Sequence, residues 1–152
     1  MAIDDLYEQD FYVWTQEQAV ALRAAAKAGG RSNAVDWERV AEEVEDVGKS
    51  EYREAGSLLT RIVEHLLKLS WTQRDEPKGG WRAEIVHFRS RLRRTLTPSL
   101  RAKMIAELEV IHADAIQVAE ISFDTHEPGA PRDVTLRRSL PQILGEEDDP
   151  LG

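Results

Sequence analysis

The stretch from Ser50 to Trp71, SEYREAGSLLTRIVEHLLKLSW, decides the fold. Its apolar residues Ala55, Leu59, Ile62, Val63, Leu66 and Leu67 recur at three- and four-residue steps, the helical period. Leu58 and Leu69 widen that stripe to about half the circumference, more than a one-sided surface helix needs. A helix this apolar has to be covered by several others. The spacing therefore predicts the central helix of a bundle, and nothing within it specifies a reaction.

Toward the N-terminus, Asp36 is a good N-cap for a helix over residues 37–47. There Trp37, Val40, Ala41, Val44 and Val47 make one narrow stripe that should face the core. Gly48 interrupts and Ser50 can cap the central helix; the alternative is one long helix bent at Gly48. Earlier still, Thr15 followed by Gln18 has the capping-box form, opening a helix through Lys27 that Gly29-Gly30 closes. Residues 4–14, DDLYEQDFYVW, read as an aromatic arm lying over the bundle.

Toward the C-terminus, TQRDEPKGG (residues 72–80) is a polar break. A helix over residues 81–95 comes next, with Trp81, Ile85, Phe88 and Leu92 on one side. Thr97-Pro98 starts a last long helix to Ser122, through Leu100, Met104, Leu108, Ile111, Ala115 and Val118. Residues 124–152 form a proline-containing acidic tail with room for one short, weakly docked helix over residues 137–144 and a frayed end. No strand pattern or internal repeat is visible. The reading is an all-α, single-domain bundle of about five main helices over residues 1–123, plus the tail.

Composition narrows the function. The 152 residues suffice for one domain with a real core, and the content, 41% hydrophobic and 32% charged, is that of a soluble protein. The net charge of -8 disfavours nucleic acid and anionic lipid. With no cysteine, disulfides, iron–sulfur clusters and thiolate zinc sites are excluded. The acidic N-terminus lacks the order of a signal peptide and no apolar run would span a bilayer, so no membrane association and a cytoplasmic location are expected.

Several separated blocks carry a resemblance: DLYEQDFYVW, DWERVAEEVEDVGKSEYREA, HLLKL, GGWRAEIVHFRSRL and PSLR, in that order. Together, over residues 4–122, they resemble the bacterial domain-of-unknown-function family numbered twenty-nine. The tail departs from the family pattern, because the family often carries a cysteine-containing segment there. The resemblance implies a compact helical bundle; it supplies no activity and no catalytic residue.

Two Glu-x-x-His steps, Glu84/His87 and Glu109/His112, invite comparison with di-iron bundles, with Glu43 and Glu64 filling the remaining places. Helix phase argues against it. At about 100° per residue, His87 and Glu109 fall roughly 140° and 135° from the apolar centres of their helices, and Glu64 is nearly opposite its own. No metal and no cofactor are expected. His65 sits at the rim of the core, where Glu43, Trp81 and Arg82 could join it in a polar pocket; helix-to-helix hydrogen bonding is the favoured role. There is no nucleophile elbow, Walker loop, dinucleotide fingerprint or His-Glu-x-x-His, so the balance leans away from an enzyme without excluding one.

Charge is the strongest signal left. Residues 36–54 hold eight acidic and three basic side chains; residues 78–103 hold eight basic and one acidic. Glu38, Glu42 and Glu45 align on one helix, and Arg82, Arg89 and Arg93 on another. These stripes suit ion pairs within one molecule, a homodimer or protein partner, or phosphate binding, which the net acidity opposes. The reading is an interaction or assembly module acting through these charged faces, on a protein partner or as a homodimer. The alternative is an enzyme or small-ligand binder at Glu43, His65, Trp81 and Arg82.

Overall fold

Helical periodicity dominates the chain, and helices are what form. The computed structural model describes residues 3–29 and 32–150, so Gly30 of the expected helix stop and the last two residues of the tail lie outside it. Seven helices and no strand occur among the described residues: α1 (Ile3–Gln9), α2 (Phe11–Lys27), α3 (Trp37–Trp71), α4 (Lys78–Thr95), α5 (Pro98–Ala106), α6 (Leu108–His126) and α7 (Leu140–Leu144). The chain is all-α. It divides into two compact units, Met1–Glu54 with Thr97–Ala102 and Ala55–Leu96 with Lys103–Gly152, and α3 contributes to both.

In the first unit the aromatic arm is itself helical. Tyr7, Phe11 and Trp14 pack on one another, with ring centroids 4.9 to 5.8 Å apart. Asp10, not Thr15, caps α2, accepting from Val13 N at 3.1 Å. Its carboxylate also takes the backbone N–H and hydroxyl of Ser99, each at 2.8 Å, which ties α2 to the start of α5. Burial works to raise the Asp10 pKa, but these hydrogen bonds outweigh it and hold the group below its usual value.

Gly48 does not break α3. A Cβ there would lie 2.1 Å from Thr15 Oγ1, so the glycine marks a close crossing of α2 over an unbroken helix. Val40 and Val47, expected in the core, are instead 40% and 46% exposed; Ala41 and Gly48 are the buried positions. Small residues let α2 approach from one side, and that leaves the valine shoulder uncovered.

The second unit holds most of the core. Leu59, Ile62, Val63 and Leu67 of α3 are fully buried, with Ile85, Phe88 and Leu92 of α4 and Ile111, Ala115, Ala119 and Phe123 of α6. The expected long last helix is two, parted at Glu107, whose backbone (φ -101°, ψ 5°) is not helical. Ala119 is buried where Val118 was expected, and His112, expected off the apolar face, is 2% exposed. α4 begins three residues early, at Lys78, taking Gly79 and Gly80 into its first turn.

The tail packs more firmly than its composition suggests. Leu140, Ile143 and Leu144 are buried, and α7 has a complete Ser139/Gln142 capping box and a left-handed Gly145 at its C-cap. Arg138, 3% exposed, is the anchor. Its guanidinium pairs with Asp149 and reaches Ser70 Oγ, and its backbone N–H donates to His112 Nε2 at 3.1 Å.

Candidate functional site

α3 and α4 are antiparallel neighbours joined by the short loop after Trp71, and their side chains interleave as rungs. Arg61 lies over the Phe88 ring, His65 bonds Glu84, and Lys68 lies 5.8 Å from the Trp81 ring centroid. His65 Nδ1 also donates to Arg61 O at 2.8 Å, and its ring meets Phe88 edge-on. Both ring nitrogens are therefore held by oxygen acceptors. Glu64, expected to point away from the core, has a side chain only 13% exposed, in a 2.6 Å pair with Lys68.

These rungs decide the fate of the expected polar pocket. His65 finds Glu84, a residue the sequence had set aside with the metal motif. Glu43 is exposed and lies about six turns away along α3. Arg82 is exposed, beside a shallow depression formed with Leu66, Leu69 and Ile85. Trp81 alone lines a larger cleft, about 500 Å³, with Phe123 as a second wall and Lys68, Arg74, His126 and Glu127 around it. Glu127 is fixed by Thr72 Oγ1 and by Gln73 N at 3.2 Å; the Thr72 bond is the main reason its pKa is lowered. Glu109 pairs with Arg137 and His87 is exposed.

The charged stripes are used differently from expectation. Glu45 pairs with Arg23 of α2 at 3.0 Å and with Lys49 at 3.4 Å, while Glu38 and Glu42 are near enough to help raise the Arg23 pKa. Arg89 donates to the Ile143 and Gln142 carbonyls at 2.8 and 3.3 Å, closing the C-terminus of α7. Burial lowers its pKa, against the attraction of Asp149. Arg93 is exposed in the last turn of α4, where a cation suits the helix dipole. Glu45 and Arg89 are thus committed to partners in their own units.

One surface that the sequence did not single out remains. α6 carries apolar side chains on its outer side as well as its inner one, there mixed with Asp114 and Gln117. Its inner face carries Ile111, Ala115, Ala119 and Phe123, yet Val110, Val118 and Ile121 are 62%, 46% and 62% exposed on the outside. A surface helix normally turns polar residues outward.

Residues 6–147 of the chain match a family model described as a domain of unknown function, DUF29. The chain belongs to the DUF29 family. No curated protein matches it. A crystal structure of an alpha-helical protein of unknown function from Rhodospirillum rubrum, at 1.45 Å, is similar: 31% identity, a TM-score of 0.79, and coverage of 94% of this chain and 91% of that one. The DUF29 match extends through the α7 tail, beyond the Ser122 limit of the blocks recognised in the sequence. Among the described residues of this DUF29 chain, no helix is long and apolar enough to cross a membrane.

Proposed function

We propose that this DUF29 protein is an interaction and assembly module whose contact surface is the outer face of α6. The observation that carries the reading is the exposure of Val110, Val118 and Ile121 on a helix that already buries a complete inner face. Exposed apolar side chains clustered on one element mark contact surfaces more often than scattered ones do. The charged stripes are weaker candidates, because Glu45 and Arg89 are committed within the chain. The partner is a protein; the net charge of -8 disfavours nucleic acid. A photo-crosslinking residue at Val118, in living cells, should give one protein adduct of defined mass that the same residue at Val86 does not. Equal or absent adducts at both positions would sink the reading.

A second reading rests on the cleft beside Trp81. Its volume of about 500 Å³ lies in the range of small-molecule sites, and it combines aromatic walls with side chains of both charges. Ligand binding there would make Trp81 the functional residue, with Lys68 and Glu127 supplying the charges beside it. Chemical-shift changes confined to Lys68, Trp81 and His126 on titration with a fragment set would favour it. Shifts scattered over the surface would remove it.

A further inference from the structure

The cleft beside Trp81 lies wholly within the second unit, and its lining carries both signs of charge. Lys68 and Arg74 supply cations, Glu76 and Glu127 anions, and Trp81, Phe123 and Pro77 apolar walls. These charges are held to different degrees. Lys68 is committed: its ammonium sits 2.6 Å from Glu64, the two charges offset each other, and it leans on the Trp81 ring. Glu127 is fixed by Thr72 Oγ1 and Gln73 N, one donor to each oxygen, and it keeps further lone pairs open. Arg74 is the loosest. It is exposed and meets Glu76 only at 3.6 Å, with no side-chain hydrogen bond among the described residues. Its fork of N–H donors is therefore open, and it lies near enough to Glu127 to help lower the pKa of that carboxyl.

The neutral groups add open donors. The indole N–H of Trp37 donates to Ser32 O at 3.0 Å and that of Trp71 to Asp133 O at 3.2 Å. Trp81 Nε1 and Ser122 Oγ, on residues only partly covered, have no hydrogen-bond partner among the described residues. We propose that the cleft binds a small zwitterion with a flat apolar body, the chemistry of a free aromatic amino acid. The inference rests on the reading of this cleft as a ligand site and names its ligand. The flat body lies against Trp81 and Phe123, whose ring centroids are 6.5 Å apart. The ligand carboxylate takes the Arg74 fork, whose geometry suits two parallel bonds, with Trp81 Nε1 and Ser122 Oγ as further donors. The ligand ammonium takes the open lone pairs of Glu127, which is already ionised and oriented, so binding orders little there. Two observations favour a zwitterion over a singly charged ligand. A lone cation meets Lys68 and Arg74, and a lone anion meets Glu76 and Glu127 in a chain of net charge -8. Arg74 and Glu127 are also close neighbours, as are the carboxylate and ammonium of an α-amino acid. A volume of about 500 Å³ admits a two-ring body.

Three probes that share one body test this: tryptophan, tryptamine, which lacks the carboxylate, and indolepropionate, which lacks the ammonium. Each is titrated into the isotope-labelled full chain, and binding is read from the Trp81 indole signal and the Glu127 and His126 amide signals. Tryptophan should bind at least about tenfold more tightly than either truncated probe. Arg74→Met should remove its advantage over tryptamine and keep its advantage over indolepropionate. Glu127→Gln should do the reverse. Equal or tighter binding of a truncated probe at these signals would overturn the zwitterion and leave the cleft a ligand site. Advantages that survive both substitutions, in variants whose remaining amide spectrum is unchanged, would do the same. Silence from all three probes, where the fragment set still shifts Lys68, Trp81 and His126, would also overturn the zwitterion alone. Silence from the probes and the fragment set together would remove the cleft reading as well.

Discussion

The two halves of α3 are one unbroken helix, yet they are held by different physics. From Ala55 to Trp71 the helix buries Leu58, Leu59, Ile62, Val63, Leu66 and Leu67, each at most 6% exposed. From Trp37 to Glu54 only Ala41 and Gly48 are buried, and the fixing contacts are polar: Arg23 to Glu45, Gln16 to the Glu45 carbonyl, and Thr15 against Gly48. Apolar burial scales with area, so the C-terminal half contributes far more stability per turn. The N-terminal half gains close packing instead, and its mostly exposed residues and few buried apolar side chains are the features of a segment that opens first. One helix can therefore act as the rigid centre in one unit and as a lightly held element in the other.

Substitutions should break that contrast in a definite order. The largest effect is expected in the second unit. Leu67→Ala removes a fully buried side chain, and a loss of about 3–5 kcal/mol is expected in urea unfolding. Arg138→Met, which strands the Asp149 carboxylate, should cost about 3 kcal/mol and release the tail to rapid amide exchange around Ile143. A loss under about 1 kcal/mol at either site would erase the difference between the halves.

A smaller effect is expected at the α2 crossing. Gly48→Ala sets a methyl group against Thr15 and should cost about 1–3 kcal/mol, despite the gain in helix propensity. Combining it with Thr15→Gly should recover much of that loss, because the clash and the space then coincide. Full additivity would show that the close approach is not what selects glycine.

pH sharpens the contrast next. His112 Nδ1 donates to Leu108 O and its Nε2 accepts from Arg138 N, so only the neutral ring satisfies both. Burial is the chief cause of its lowered pKa; Arg137 and Arg138 add to the lowering, and Glu109 opposes them. A base with a depressed folded pKa is protonated more readily when unfolded. Its contribution is complete above about pH 6.5 and is lost progressively as the pH falls from there toward the lowered folded pKa. Between pH 7 and pH 5 the wild type should lose stability relative to His112→Gln, by at most about 1.4 kcal/mol per pH unit. The opposite slope would contradict the neutral assignment.

The smallest effect is expected on the N-terminal half of α3. Glu45→Gln breaks a partly exposed pair with Arg23 and should be barely measurable in unfolding, and less so at high salt. A large loss would make that pair a structural anchor.

Much of the fold was legible because period is a one-dimensional signal. The run Ala55, Leu59, Ile62, Val63, Leu66, Leu67 announces a buried helix in any context, and the same holds for Ile85, Phe88 and Leu92. Pairings were not legible. His65 and Glu84 each sit at the rim of a stripe, but which rim residue meets which depends on the register of α3 against α4. The α6 face was hidden because Val118 and Ala119 are neighbours at the edge of the apolar arc, and only packing decides which of the two is covered. The structure covers His112 and Ala119 beside Ile111 and Ala115 and leaves Val118 46% exposed.

By itself the sequence determined the helical class, the central helix and the polar break before α4, because spacing along the chain fixes which residues share a face. Tertiary structure alone decided that Gly48 is a crossing and not a break, that Glu84 and not Glu43 holds His65, and that the polar tail is anchored through a buried arginine. Those outcomes depend on distances between elements far apart in the chain, and local propensity carries no record of them.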